Sequence, residues 1–133
     1  MSTPKFAVSH AWVKAEANGW LTFGLTKFAA LRLGEIVFLD LPEVGKELRR
    51  GDVGVVLESA RSICELPVPV SGWVKVANAA AADEPALVSR DPQGAGWLLK
   101  LRAQRQDELD LLMDQAAYES LVRRALRSDF QEE

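Results

Sequence analysis

One cysteine and one histidine in 133 residues rule out two common kinds of chemistry. Cys64 on its own cannot form an internal disulfide, and with His10 as the sole imidazole there is no clustered ligand set for a metal. So sparse a use of cysteine suits a reducing compartment. Long apolar runs are missing too. The best of them, Gly34 to Leu41, is broken by Glu35 and Asp40 and falls far short of the roughly 20 residues a bilayer requires, so no membrane partner is expected. The opening Met1-Ser-Thr-Pro-Lys5 has neither the apolar segment of a secretory signal nor the Arg-rich pattern of a transit peptide, and the expected location is cytoplasmic. Basic excess is absent as well: 16 Lys and Arg stand against 19 Asp and Glu, for a net charge of -3, which argues against a nucleic-acid partner. No phosphate-binding glycine loop occurs, and Ser59 has no histidine arrangement to activate it, so a non-enzyme is expected.

What is present fits one domain with a real core. The expected layout is a tail at 1–9, a single domain at 10–127 and a second tail at 128–133. His10 to Ala17 alternates as a strand, Asn18-Gly19 is a favoured two-residue turn, and Trp20 to Leu25 returns. Thr26 is placed to cap a helix over 27–33 that Gly34 stops. Glu35 to Leu41 is the strongest strand, and Pro42 to Gly45 turns the chain. Leu48 anchors the polar stretch 46–52, whose Arg49-Arg50-Gly51-Asp52 suits a turn. Beyond the next hairpin, Trp73 to Val76 alternates as a strand, 77–89 reads as a loop with one helical turn, 91–96 as a Pro/Gly turn and Trp97 to Leu101 as the last strand. Two helices follow, over 107–113 and from the N-cap Asp114 onward, with Tyr118, Leu121, Val122 and Ala125 at helical spacing. Six to eight short strands with small helices make this a β-rich α+β chain.

The stretch from Gly54 to Gly72 stands out. Two β-branched runs meet at a polar tip, Glu58 to Glu65, and Pro67 and Pro69 restrict the returning strand to an edge or a bulge because proline gives no N–H to a ladder. The tip is therefore displayed. Cys64 within it reads as an ordinary small side chain rather than a thiol activated by Arg61. His10 reads as a hydrogen-bonding residue, and Trp12, Trp20, Trp73 and Trp97 as core or half-buried packing.

Several of these residues occur in an order that resembles the glycine cleavage system H proteins, a lipoyl carrier family. The matching pieces include His10-x-Trp12-Val13, Gly24-Leu-Thr26, Leu33-Gly-Glu-Ile-Val-Phe38, Leu41-Pro-Glu-Val-Gly45, Glu58-Ser59, Pro69-Val-Ser-Gly72, Val76-x-Asn78, Gly96-Trp97 and Asp114-x-x-Ala117-Tyr118-Glu119. The resemblance implies a lipoyl-domain-like barrel-sandwich hybrid of small antiparallel sheets. It also implies a carrier whose lipoyl lysine sits at a hairpin tip and serves a decarboxylase, an aminomethyltransferase and dihydrolipoamide dehydrogenase.

Under that resemblance the lysine position falls on Arg61, framed by Glu58, Ser59 and Glu65. A guanidinium with a pKa above about 12 is not acylated as an amine is, so lipoate is not an expected cofactor here. The family's acid between His10 and Trp12 is also replaced, by Ala11. Glu65 is expected to pair with Arg61 across the tip. The functional expectation is an H-like module that acts by contact with glycine cleavage enzymes or a lipoyl-transfer enzyme; the alternative is a working aminomethyl carrier of glycine decarboxylation whose lysine has been changed.

Overall fold

The computed structural model of the chain describes residues 3–131. All strand pairs are antiparallel, and they form two sheets. The larger sheet has the order β1-β2-β3-β9-β8-β5, from β1 (Lys5–Phe6), β2 (Ala11–Ala15), β3 (Trp20–Leu25), β9 (Leu99–Ala103), β8 (Gly72–Ala77) and β5 (Glu47–Leu48). The smaller has the order β4-β6-β7, from β4 (Ile36–Asp40), β6 (Val53–Ser59) and β7 (Ile63–Pro67). This is the sheet-rich α+β architecture that the sequence implied. Its strand total exceeds the expected six to eight because β1 and β5 are two residues long, too short to leave an alternating pattern.

Local chemistry explains the first half of the chain. At Asn18-Gly19 the chain reverses with Gly19 at φ 86°, and Asn18 Oδ1 accepts from the Trp20 N–H at 3.0 Å. β2 starts at Ala11 rather than His10, because His10 has φ 70°, a left-handed conformation incompatible with a strand. The helix α1 (Lys27–Leu33) begins and ends as expected: Thr26 Oγ1 accepts from the Ala29 N–H at 3.4 Å, and Gly34 closes it with φ 81°.

Side chains from both sheets meet in one core that includes Phe23, Leu57, Leu66, Val74, Leu99 and Leu101, all fully buried. Each such residue is worth roughly 1.5–3 kcal/mol of burial, so the two sheets hold each other without a disulfide. A second cluster joins Phe6, Trp12 and Tyr118. Here the expectation of a loose tail at 1–9 is corrected. Phe6 stacks on Tyr118 with ring centroids 4.6 Å apart, and its backbone exchanges two 2.8 Å hydrogen bonds with Met113. The partners lie more than a hundred residues downstream, which no local pattern reveals.

Three further expectations shift. Residues 79–90 hold two short helices, α2 (Ala79–Asp83) and α3 (Ala86–Arg90), where a loop with one helical turn was expected over 77–89. The last strand lies two residues later than Trp97 to Leu101, and the helix at 107–113 is a 3-10 helix, Gln106–Leu111. The final helix, α4 (Gln115–Gln131), is capped by Asp114 Oδ1, which accepts from the Ala117 N–H at 2.9 Å. It runs through most of the expected tail at 128–133, of which 132–133 lie outside the described residues.

The prominent hairpin of β6 and β7 leaves the large sheet after β5 and returns to it at β8. Its base is closed by the pairing of Glu47 with Trp73 and Leu48 with Gly72. Above that pairing, Val68 N–H donates to the Asp52 carbonyl and Gly51 N–H to the Val68 carbonyl, at 2.8 and 2.9 Å. Glu108 of the 3-10 helix seals the return: its carboxylate accepts from the Ser71 N–H at 2.7 Å and from the Ser71 hydroxyl at 3.0 Å. Replacing it by Ala strands the buried Ser71 N–H and should cost about 1–3 kcal/mol in urea denaturation, whereas Glu108→Gln retains most of that stability.

Candidate functional site at the hairpin tip

The tip is narrower than its sequence suggested. β6 runs through Ser59 and β7 begins at Ile63, so only Ala60, Arg61 and Ser62 lie outside the ladder. Ser59 organises them. Its Oγ accepts from the N–H groups of Arg61 and Ser62 at 3.3 and 3.2 Å, and its N–H donates to the Ser62 carbonyl at 2.9 Å. β7 is an edge strand of its sheet, which is where Pro67 at its end is tolerated.

Arg61 does not meet Glu65. Among the described residues no ion pair joins them, and the Arg61 guanidinium instead donates from Nη2 to the Arg32 carbonyl at 3.0 Å. The reason is strand alternation. Cys64, opposite the buried Leu57, faces inward toward α1, so Glu65, opposite Val56, projects from the outer face. Arg61 turns the other way, onto the last turn of α1, where unpaired carbonyls and the negative end of the helix dipole favour a cation. Gly34 makes room for it: a Cβ at that position would lie 2.8 Å from Arg61 Nη2.

Glu58 also lies on the outer face, aligned across the three strands with Phe38 and Ile63. Phe38 and Ile63 are 52% and 65% exposed. Arg61, Glu58, Ser59 and Glu65 are thus neighbours in one hairpin, but only Arg61 and Ser59 shape the tip itself.

Beneath the tip lies a cleft of about 400 Å³ whose walls include His10, Leu25, Phe28, Arg32, Leu33 and Cys64. Burial first, and then the Glu65 charge, pushes the Cys64 thiol above its ordinary pKa, which is the opposite of activation by Arg61. His10 makes the expected hydrogen bond. Its Nδ1 lies 2.8 Å from Tyr118 Oη, which in turn lies 2.6 Å from Thr26 Oγ1. These three link the start of β2, the N-cap of α1 and helix α4. Each was visible in the sequence; their convergence was not, because it spans more than a hundred residues. Burial, followed by the Arg32 charge, lowers the His10 pKa, and burial raises that of Tyr118 against the opposing effect of its Thr26 hydrogen bond. Among the described residues no group of three His, Cys, Asp or Glu side chains could hold a metal, and no helix is long and apolar enough to cross a membrane.

Comparison with known proteins decides the relationship. The family described as Glycine cleavage H-protein matches residues 4–125. The chain belongs to the glycine cleavage H-protein family. It is 41% identical over 118 residues to the glycine cleavage system H proteins of Escherichia coli (strain K12 / DH10B) and Salmonella newport (strain SL254), covering 89% of this chain and 92% of each relative. A crystal structure of a glycine cleavage system H protein from Mycobacterium marinum superposes with a TM-score of 0.82 at 31% identity, over 91% of this chain and 97% of that one. The H-protein family carries lipoate and is a carrier rather than an enzyme, and its partners are the glycine cleavage enzymes.

Because folding lowers the His10 pKa, the unfolded chain binds its proton more readily than the folded one. The contribution of His10 is therefore fully present above its ordinary pKa of 6.5 and is lost as pH falls through the lower folded value. His10→Asn, which tolerates the left-handed backbone but does not titrate, should show a stability difference from the native protein that shrinks in urea titrations between pH 7 and pH 5.

Proposed function

We propose that this chain is an H-protein-family module that works without a lipoyl group, by contact with glycine cleavage enzymes or a lipoyl-transfer enzyme in the cytoplasm. The observation that carries this reading is the Arg61 side chain, at the tip where the family resemblance implies the modified lysine and bonded to the Arg32 carbonyl. The residues present do not suit lipoate. Attachment requires a neutral amine, whereas a guanidinium keeps its charge, with a pKa above about 12, and delocalises its lone pairs. The lysines are elsewhere: Lys5 on β1, Lys14 on β2, Lys27 at the start of α1, Lys46 before β5, Lys75 on β8 and Lys100 on β9.

Contact with a partner has its own support. The outer face of the small sheet presents Phe38 and Ile63 beside Glu58, Glu65 and Asp40. Exposed apolar side chains ringed by carboxylates suit association with a basic surface, where the charges speed and orient docking and the apolar centre supplies affinity. Ser59 and Arg61 then fix the shape of the tip that such a partner meets.

The alternative, a working carrier whose lysine has been exchanged, rests on the family match extending over 4–125. Two measurements separate them. Incubation with lipoate, ATP and a lipoyl ligase should leave the intact mass unchanged, and a gain of one lipoyl group would overturn the proposal. Arg61→Lys should accept the group yet fail to restore glycine decarboxylation with the three partner enzymes; restored turnover would favour the exchanged-lysine reading.

A further inference from the structure

The outer faces of the two sheets are chemically unlike. On the large sheet, Trp20 of β3 lies opposite Arg102 of β9, and Arg102 opposite Trp73 of β8. The next cross-strand row runs from Lys14 through Thr22 to Lys100. Their strand neighbours Leu21, Leu99, Leu101 and Val74 are fully buried, which puts both rows on the outer side. Helix α4 covers one end of that side, where Tyr118, Leu121 and Val122 pack with Phe6 and Trp12. Beyond the helix, Arg102 and Lys14 are exposed and Trp20 and Trp73 half-buried. Arg102 rests over the Trp73 ring at 5.7 Å and Lys100 over the Trp97 ring at 5.2 Å, so cations and rings share one surface. Two carboxylates also lie here: Glu16 meets Lys100 at 3.5 Å, and Glu47, opposite Trp73, accepts from Gln104. Arg102 has no ion pair among the described residues.

The outer face of the small sheet has the opposite charge: Asp40, Glu58 and Glu65 project there with the exposed Phe38 and Ile63. Both sheets give their inner sides to one core, so the two outer faces point away from each other. On the large-sheet side a recess of about 460 Å³, lined by Glu16, Ala17, Asn18, Trp20, Val76 and Lys100, offers a seat for an apolar side chain beside a cation. We propose that the basic, tryptophan-bearing face of one copy receives the acidic face of a second copy, with Phe38 or Ile63 seated against Trp20 and the carboxylates on Arg102 and Lys14. Opposite charge orients the encounter, and the aromatic and apolar centre supplies affinity. Unlike faces on opposite sides of one molecule join head to tail, so every contact leaves a free face at each end and the stack grows with concentration. The contact shares its acidic side with the enzyme docking proposed above, but it needs only the chain itself and is independent of whether Arg61 can be modified.

Sedimentation equilibrium of the full chain, from micromolar to millimolar concentration, measures the association. The weight-average mass should climb above the monomer value with concentration and fall back when salt rises from about 0.1 to about 1 M, which shortens the screening length from about 10 to about 3 Å. Arg102→Glu on one face and Glu65→Arg on the other should each weaken association about tenfold. An equimolar mixture of the two variants should recover it, because both junctions of an alternating stack are then matched in charge. Lys27→Glu, at the start of α1 and on neither face, changes the net charge as much as Arg102→Glu and should associate as the native chain does. A mass that stays monomeric at every concentration would leave these faces to other partners and overturn the stack. So would association that survives both face reversals, a mixture no more associated than its components, or an equal loss in Lys27→Glu.

Discussion

Two residues of β5 paired with two of β8 determine where the hairpin stands. The chain leaves the large sheet at Leu48 and does not rejoin it until Gly72. Without that short ladder, the two connections to β6 and β7 would be held only by the core packing and the hydrogen bonds at Val68 and Ser71. The ladder depends in turn on close backbone approach: a Cβ on Gly72 would sit 2.5 Å from the Arg102 carbonyl oxygen, so a larger residue would push β8 off β9. Glu108 adds the polar closure at Ser71. Once the base is fixed, the ladders of β4 with β6 and β6 with β7 carry the position outward, and Arg61 arrives within hydrogen-bond distance of the last turn of α1.

Features set by short-range chemistry were legible in the sequence. Thr26 and Gly34 bracket α1 because a hydroxyl cap and a left-handed glycine act within one turn, and Asn18-Gly19 fixes its hairpin in the same way. Leu48 was recognisable as an anchor, although the strand around it was too short to announce itself. The alanine run near 80 gave no amphipathic period from which to infer α2; Ala81 buries through the packing of α2 and α3 near β4. At the tip, Ser59 and Arg61 were singled out by the family resemblance, yet the Arg61 contact was not. Its acceptor is a backbone carbonyl, which any residue at position 32 would supply, so it has no signature in the sequence. Glu65 looked like the partner because it is close along the chain, whereas the pleat sends it to the other face.

The same pleat separates two surfaces on one hairpin. Inward, Cys64 joins a cleft shared with α1 and α4; outward, Glu58 and Glu65 flank Phe38 and Ile63. A macromolecule resting on the outer face and a group entering the cleft would therefore touch different side chains of the same strands. A substitution at one surface need not disturb the other, as long as the strands themselves hold register.

The contact between Arg61 and the Arg32 carbonyl turns a side chain that would otherwise swing freely into a strut between hairpin and helix. A tethered arm serves by reach, and its freedom of motion is what allows it to visit distant sites. A strut serves by form: a side chain already held by a hydrogen bond would leave any partner that met the tip less disorder to remove on binding. The cost falls on adaptability, since a partner needing a different contour must first break the hydrogen bond at the end of α1.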